Sequence, residues 1–138
     1  MPYHYVCGPY EWDPDIAFDL HRELTAFLIE KERLWPVVSP IVYGHSIHLP
    51  PLDIVDWMVF ADNMLQHACH VHFLLEPPHM WRGGEPLSRG TSYELGAARS
   101  LGLPISMWKR GKGGFVRESG PSPRVRGPGA GPLTQGTP

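Results

Sequence analysis

Residues 84–104, Gly84-Glu85-Pro86-Leu87-Ser88-Arg89-Gly90-Thr91-Ser92-Tyr93-Glu94-Leu95-Gly96-Ala97-Ala98-Arg99-Ser100-Leu101-Gly102-Leu103-Pro104, decide how the chain is read. Gly90, Thr91 and Ser92 offer backbone N–H groups and hydroxyls where a helix should begin. Gly102 followed by Pro104 supplies its stop. The first amides of a helix have no partner inside it, so such a start is a ready anion site. Glu94, a carboxylate, lies in the same first turn. Thr91-x-x-Glu94 fits a capping box, in which the acid reaches back to the cap residue's own N–H. The other possibility is that this acid performs chemistry, and the rest of the chain bears on the choice.

Just before this stretch, Val71–Leu75 reads as a strand, and Pro77–Pro86 as a loop containing Trp81. Just after it, Pro104–Trp108 reads as another strand. Further upstream, Asp53 to about Ala68 is a long helix whose apolar stripe is Ile54, Trp57, Met58, Ala61, Leu65 and Ala68. Asp62 borders that stripe. Ile41–Pro51 is a loop holding His45 and His48, and Leu34–Val38 is a strand closed by Ser39-Pro40. Asp13-Pro14 opens a helix over roughly 14–32, with Ile16, Leu20, Leu24, Phe27 and Leu28 at helical spacing. Tyr3–Gly8 is a short buried strand.

Strands alternating with helices predict a three-layer flavodoxin- or Rossmann-like α/β fold, a parallel sheet with helices on both faces. Ligands in such sheets bind beyond the carboxyl ends of the strands, at the topological switch point. Three segments emerge at that edge: Gly8–Trp12, Ser39–His48 and Trp81–Glu94. Residues 1–110 form the domain. From Gly111 onward Gly and Pro dominate and large apolar side chains are few, so 111–138 reads as a disordered, mildly basic tail.

With 138 residues, 42% of them hydrophobic, the chain can build one proper core. A net charge of −2 gives no sign of the basic stripe of a nucleic-acid binder or of a surface for anionic membranes. No apolar run approaches the roughly 18 residues of a membrane span. The N-terminus lacks the layout of a signal peptide. Two cysteines, Cys7 and Cys69, are too few for a disulfide framework and fit free thiols in the cytoplasm.

In order, the chain carries Tyr5-Val6-Cys7-Gly8-Pro9-Tyr10, Ser39-Pro40-Ile41 with His45, Trp57 and Asp62, then Ser88-x-Gly90-x-x-x-Glu94 ahead of Gly102-x-Pro104. This set resembles the nucleoside 2-deoxyribosyltransferase superfamily, and within it the small branch of 2′-deoxynucleoside 5′-monophosphate N-glycosidases and related phage or bacterial proteins. The resemblance covers residues 3–108. It implies that Glu94 is a nucleophile that attacks C1′ of a deoxyribose, expelling the base and leaving a glycosyl ester. Water or a second base then resolves that ester, in the two-step logic of retaining glycosidases. It implies that Tyr5 hydrogen-bonds the nucleophile and that Asp62 protonates or orients the leaving base. Gly8, Tyr10, His45, Ser88 and Gly90 become candidate substrate contacts. Family members commonly pair, so a homodimer is implied as well.

The position six residues before the nucleophile bears on substrate. Transferases of free nucleosides place an acid there, and the monophosphate hydrolases place a serine; here it is Ser88. Serine beside open amides welcomes a phosphate that an aspartate would repel. Arg89 or His45 could add positive charge. The first loop departs from the family pattern, since Pro9-Tyr10-Glu11-Trp12 stands where the hydrolases carry an arginine and paired glycines. His70 stands where an aspartate usually opens the third strand.

His67, Cys69, His70 and His72 form a cluster that could be weighed as a zinc site, since neutral imidazoles suit that ion. Their spacing matches no helical or finger pattern, and they read instead as packing or solvated histidines. No metal or cofactor is therefore expected. The expected function is hydrolysis of the base–sugar bond of a deoxynucleoside 5′-monophosphate. The alternatives are a base-exchanging transferase and a non-catalytic nucleotide- or metal-binding module.

Overall fold

A computed structural model describes residues 2–9, 14–46, 53–75 and 87–118. The chain runs through β1 (Tyr3–Cys7), α1 (Pro14–Glu30), β2 (Val37–Val38), α2 (Pro40–Ser46), α3 (Ile54–Leu65), β3 (Ala68–Leu74), α4 (Arg89–Ser100), β4 (Ile105–Gly111) and β5 (Gly114–Arg117). The sheet has the order β2-β1-β3-β4-β5. β1 to β4 pair in parallel, as the alternation of elements predicts, and β5 folds back antiparallel on β4.

Strand periodicity divides the core between the two faces. Tyr5 and Cys7 of β1, Val71 and Phe73 of β3 and Met107 of β4 meet Ala61 and Leu65 of α3 and Leu95 and Ala98 of α4. On the other face, Val6, Leu74 and Trp108 pack with Leu24 and Leu28 of α1 and Phe115 of β5. Leu24 and Leu28 are fully buried, each contributing about 1.5–3 kcal/mol of transfer free energy. The result is three layers, with α1 on one side and α3 and α4 on the other.

Two expectations need correction. The segment read as a loop from Ile41 begins as a helix, α2. Ser39 caps it, accepting the Val42 N–H on Oγ and the Tyr43 N–H on its carbonyl, and Pro40 takes the first helical position. Residues 111–118, assigned to a disordered tail, belong to the fold instead. Phe115 is buried and β5 extends the sheet, so the ordered domain passes beyond 110. The rest of the tail lies outside the described residues.

The order of strands places the switch point between β1 and β3, since the chain leaves β1 for β2 on one side and reaches β3 on the other. Gly8 follows β1 at this point. A Cβ there would lie 2.9 Å from Leu74 Cβ and 3.1 Å from His21 Nε2, so only glycine fits. Among the described residues, no helix is long and apolar enough to cross a membrane.

Candidate active site

Ser88, not Thr91, caps α4. Its Oγ accepts the Thr91 N–H and shares a 2.8 Å hydrogen bond with the Thr91 hydroxyl, while the Ser92 N–H turns back to the Ser88 carbonyl. At the other end Gly102 adopts φ +70°. The Leu103 N–H reaches the Ala98 carbonyl and the Gly102 N–H that of Arg99, which closes the helix as a Schellman motif.

This phase turns Gly90, Glu94 and Ala98 inward, one turn apart, so Glu94 lies in the buried stripe of its helix. Only 1% of it is exposed. The capping box with Thr91 is not formed. The Tyr5 hydroxyl instead donates to Glu94 Oε2 at 2.8 Å, joining β1 to α4 across the core. Oε1 has no hydrogen-bond partner among the described residues.

Burial pushes the Glu94 carboxyl up to about 8, against the pull of the Tyr5 hydroxyl and the nearby Trp57 indole, which stops short of a hydrogen bond to Oε1. The Tyr5 phenol is raised well above its usual value by burial, then by the Glu94 charge. Burial and Glu94 also raise the Cys7 thiol, so that thiol stays protonated and inert. The acid is neutral near pH 7 in the free protein. In the carboxylate form, Oε1 is an oxygen with an open lone pair in a dry setting, which is what a nucleophile requires.

In the sequence Trp57 stands in the stripe of α3 and in the set that carries the resemblance, with no role of its own. In the fold its indole covers Gly90: a Cβ on that glycine would lie 3.0 Å from Trp57 Cδ1 and 3.1 Å from Nε1. Gly90 therefore leaves room for the indole beside the start of α4.

Asp62 is placed differently from its expected border position. It is exposed, and the Tyr93 hydroxyl bridges both its oxygens at 2.9 Å. Tyr93 is the chain neighbour of Glu94, so the two acids sit on adjoining aspects of one helix–helix contact. Ser88 is buried and Arg89 exposed at the start of α4. Gly8 lies at the end of β1, above the fully buried His21, whose Nε2 is 3.3 Å from the Pro9 carbonyl. His45 falls within α2, but its side chain lies outside the described residues, as do Tyr10, Trp12, His48 and Trp81.

Fold and site together define a doubly wound α/β domain with a hydroxyl-bonded carboxylic acid buried between β1 and the flanking helix α4. A 2-desoxiribosyltransferase from Leishmania mexicana has a similar structure, with a TM-score of 0.54 over 86% of this chain and 79% of that one at 18% sequence identity. The fold is therefore deoxyribosyltransferase-like. No family model matches the chain, and no curated protein matches it either.

Proposed function

We propose that the chain is an N-glycosidase that releases the base from a 2′-deoxynucleoside 5′-monophosphate. The observation that carries this is the buried Tyr5–Glu94 pair with its second carboxyl oxygen open. Tyr5 fixes the rotation of the carboxylate by holding Oε2, which leaves Oε1 to attack C1′. The C1′–Oε1 bond forms as the C1′–N bond breaks. The electron pair of that bond leaves on the base, which takes up a proton from solvent. A water molecule then attacks C1′ and gives a proton to solvent as the C1′–Oε1 bond breaks and the Glu94 carboxylate is released. Glu94 must first lose its own proton, and a group at about 8 is only about one-tenth ionised at pH 7.

Asp62, oriented by Tyr93, is assigned to the leaving base. The phosphate is assigned to the start of α4. The Arg89 and Gly90 N–H groups come before the first intrahelical bond there, and the Ser88 hydroxyl stands beside them. Gly8, Tyr10 and His45 complete the proposed contacts. The apolar residues Val55 and Val59 are 63% and 58% exposed one turn apart on α3, which suits the pairing of two copies. Two free cysteines and a nucleotide substrate fit a cytoplasmic setting.

The test is a panel of deoxynucleotides, deoxynucleosides and ribonucleotides assayed for free base, with Glu94→Ala as the blank. Release confined to the 5′-monophosphates supports this function. Turnover that requires an added free base indicates a transferase instead. Binding without turnover indicates a nucleotide-binding module.

A further inference from the structure

On the face of the sheet opposite Glu94, three histidines come together. The two-residue period of β3 sends His70 and His72 to one side, and His4 is the registered partner of His70 on β1. Each offers a ring nitrogen within 4.8 Å of the other two. The His70 and His72 rings stack at 4.3 Å, and His4 Nδ1 lies 2.9 Å from His72 Nε2. His67 is exposed and belongs to no such group. We propose that His4, His70 and His72 bind one divalent transition-metal ion of the zinc or cobalt class.

Three imidazoles on two hydrogen-bonded strands are a suitable donor set for such an ion, and they leave a fourth position for water. Tetrahedral coordination at about 2.0–2.1 Å requires ligand nitrogens about 3.4 Å apart. The separations here, from 2.9 Å to at most 4.8 Å, straddle that value. His4 and His70 are only half-buried, so rotation of their rings can make up the difference. His70 is already oriented: its Nε2 is 2.8 Å from Ser106 Oγ, so an Nε2–H donated there leaves Nδ1 as the free nitrogen. Ligating histidines usually hold their second nitrogen in this way.

Trp108 opposes the ion. Its indole N–H donates to His72 Nδ1 at 3.0 Å, so Nε2 carries the ring proton and donates to His4 Nδ1. Ligation through Nε2 moves that proton to Nδ1, where it faces the indole N–H, and the Trp108 bond is lost. The positive charge of Arg117, which is felt at His70 and His72, works in the same direction. Both effects weaken binding, and a bound ion clamps β1 to β3 behind Tyr5.

The test uses the full chain without an affinity tag, stripped with a chelator, titrated with Zn²⁺ by calorimetry and with Co²⁺ by absorbance. One ion per chain with the visible bands of tetrahedral Co²⁺ is expected. His4→Ala and His70→Ala should each weaken binding at least about tenfold, while His67→Ala leaves it unchanged. Trp108→Phe should tighten it about tenfold, by removing the competing donor. Melting temperature should rise with Zn²⁺ in the parent chain and not in His70→Ala. No saturable binding at about 100 µM Zn²⁺, or equal binding by the parent and both alanine variants, overturns the site.

Discussion

The two faces of the sheet bury ionisable groups in contrasting ways. Behind Tyr5, Glu94 is bonded through one oxygen and leaves the other open. Behind Val6, His72 is equally buried, yet both its nitrogens are engaged, one by Trp108 and one by His4. Leaving a buried polar atom unpaired costs roughly 1–3 kcal/mol, and on this face that cost falls on Oε1. The histidine face is closed on itself, and a ligand there has to displace an internal bond.

The largest effect that can break this contrast comes from Glu94→Gln. The amide keeps the shape but cannot form the ester, so base release should fall by at least about a thousandfold in a base-release assay. Stability should move the other way. The folded pKa of Glu94 lies above the unfolded value of 4.5, at about 8. The fold therefore loses stability as pH rises from about 4.5 to about 8 and stays at the lower level above that. At pH 9 Glu94→Gln should stabilise by a few kcal/mol, and at pH 4 by almost nothing; melting curves at the two pH values measure this. A destabilised variant at pH 9 would deny that the acid is buried at a cost.

The same proton sets the next effect. Activity at subsaturating substrate should climb about tenfold per pH unit up to about 8 and then level off. Tyr5→Phe removes the hydroxyl that pulls the Glu94 pKa down, so that limb should move to higher pH. Turnover at pH 7 should drop about 10- to 100-fold, and pH–rate profiles of the two proteins are the measurement.

Gly90→Ala is a smaller perturbation. The new methyl meets the Trp57 indole at 3.0 Å, which should cost about 1–3 kcal/mol by denaturant unfolding and push the indole away from Gly90. Tyr93→Phe is the mildest. Its bond to Asp62 is exposed, so stability should change by less than about 1 kcal/mol. A drop in base release with stability unchanged would sharpen the assignment of Asp62 to the leaving base.

Much of this was legible in the sequence because it is local. Helical and strand periods define α1, α3, α4 and the inner strands, while Glu94, Tyr5 and Ser88 form a candidate set only through the resemblance. The choice between a capping acid and a buried one was not legible. Ser88 and Thr91 are both capping residues, three positions apart, and spacing alone does not say which one the helix starts from. Once Ser88 caps, the phase carries Glu94 inward. Asp62 shows the converse error, since a stripe border on a helical wheel is exposed when no neighbour covers it. His4 was overlooked as a partner of His70 and His72 because their meeting depends on the register of β1 against β3. β5 was hidden by the glycines around Phe115 and Val116, and α2 by its shortness and the Gly44 within it.

The most direct measurement uses a 5′-monophosphate whose sugar carries fluorine at C2′ in the arabino configuration. Fluorine withdraws charge from the oxocarbenium-like transition state and slows both steps, so the ester accumulates. Mass spectrometry of the protein should show one added sugar phosphate, mapped to Glu94 and absent from Glu94→Gln. Base release with no adduct, or an adduct on any other residue, would contradict the account.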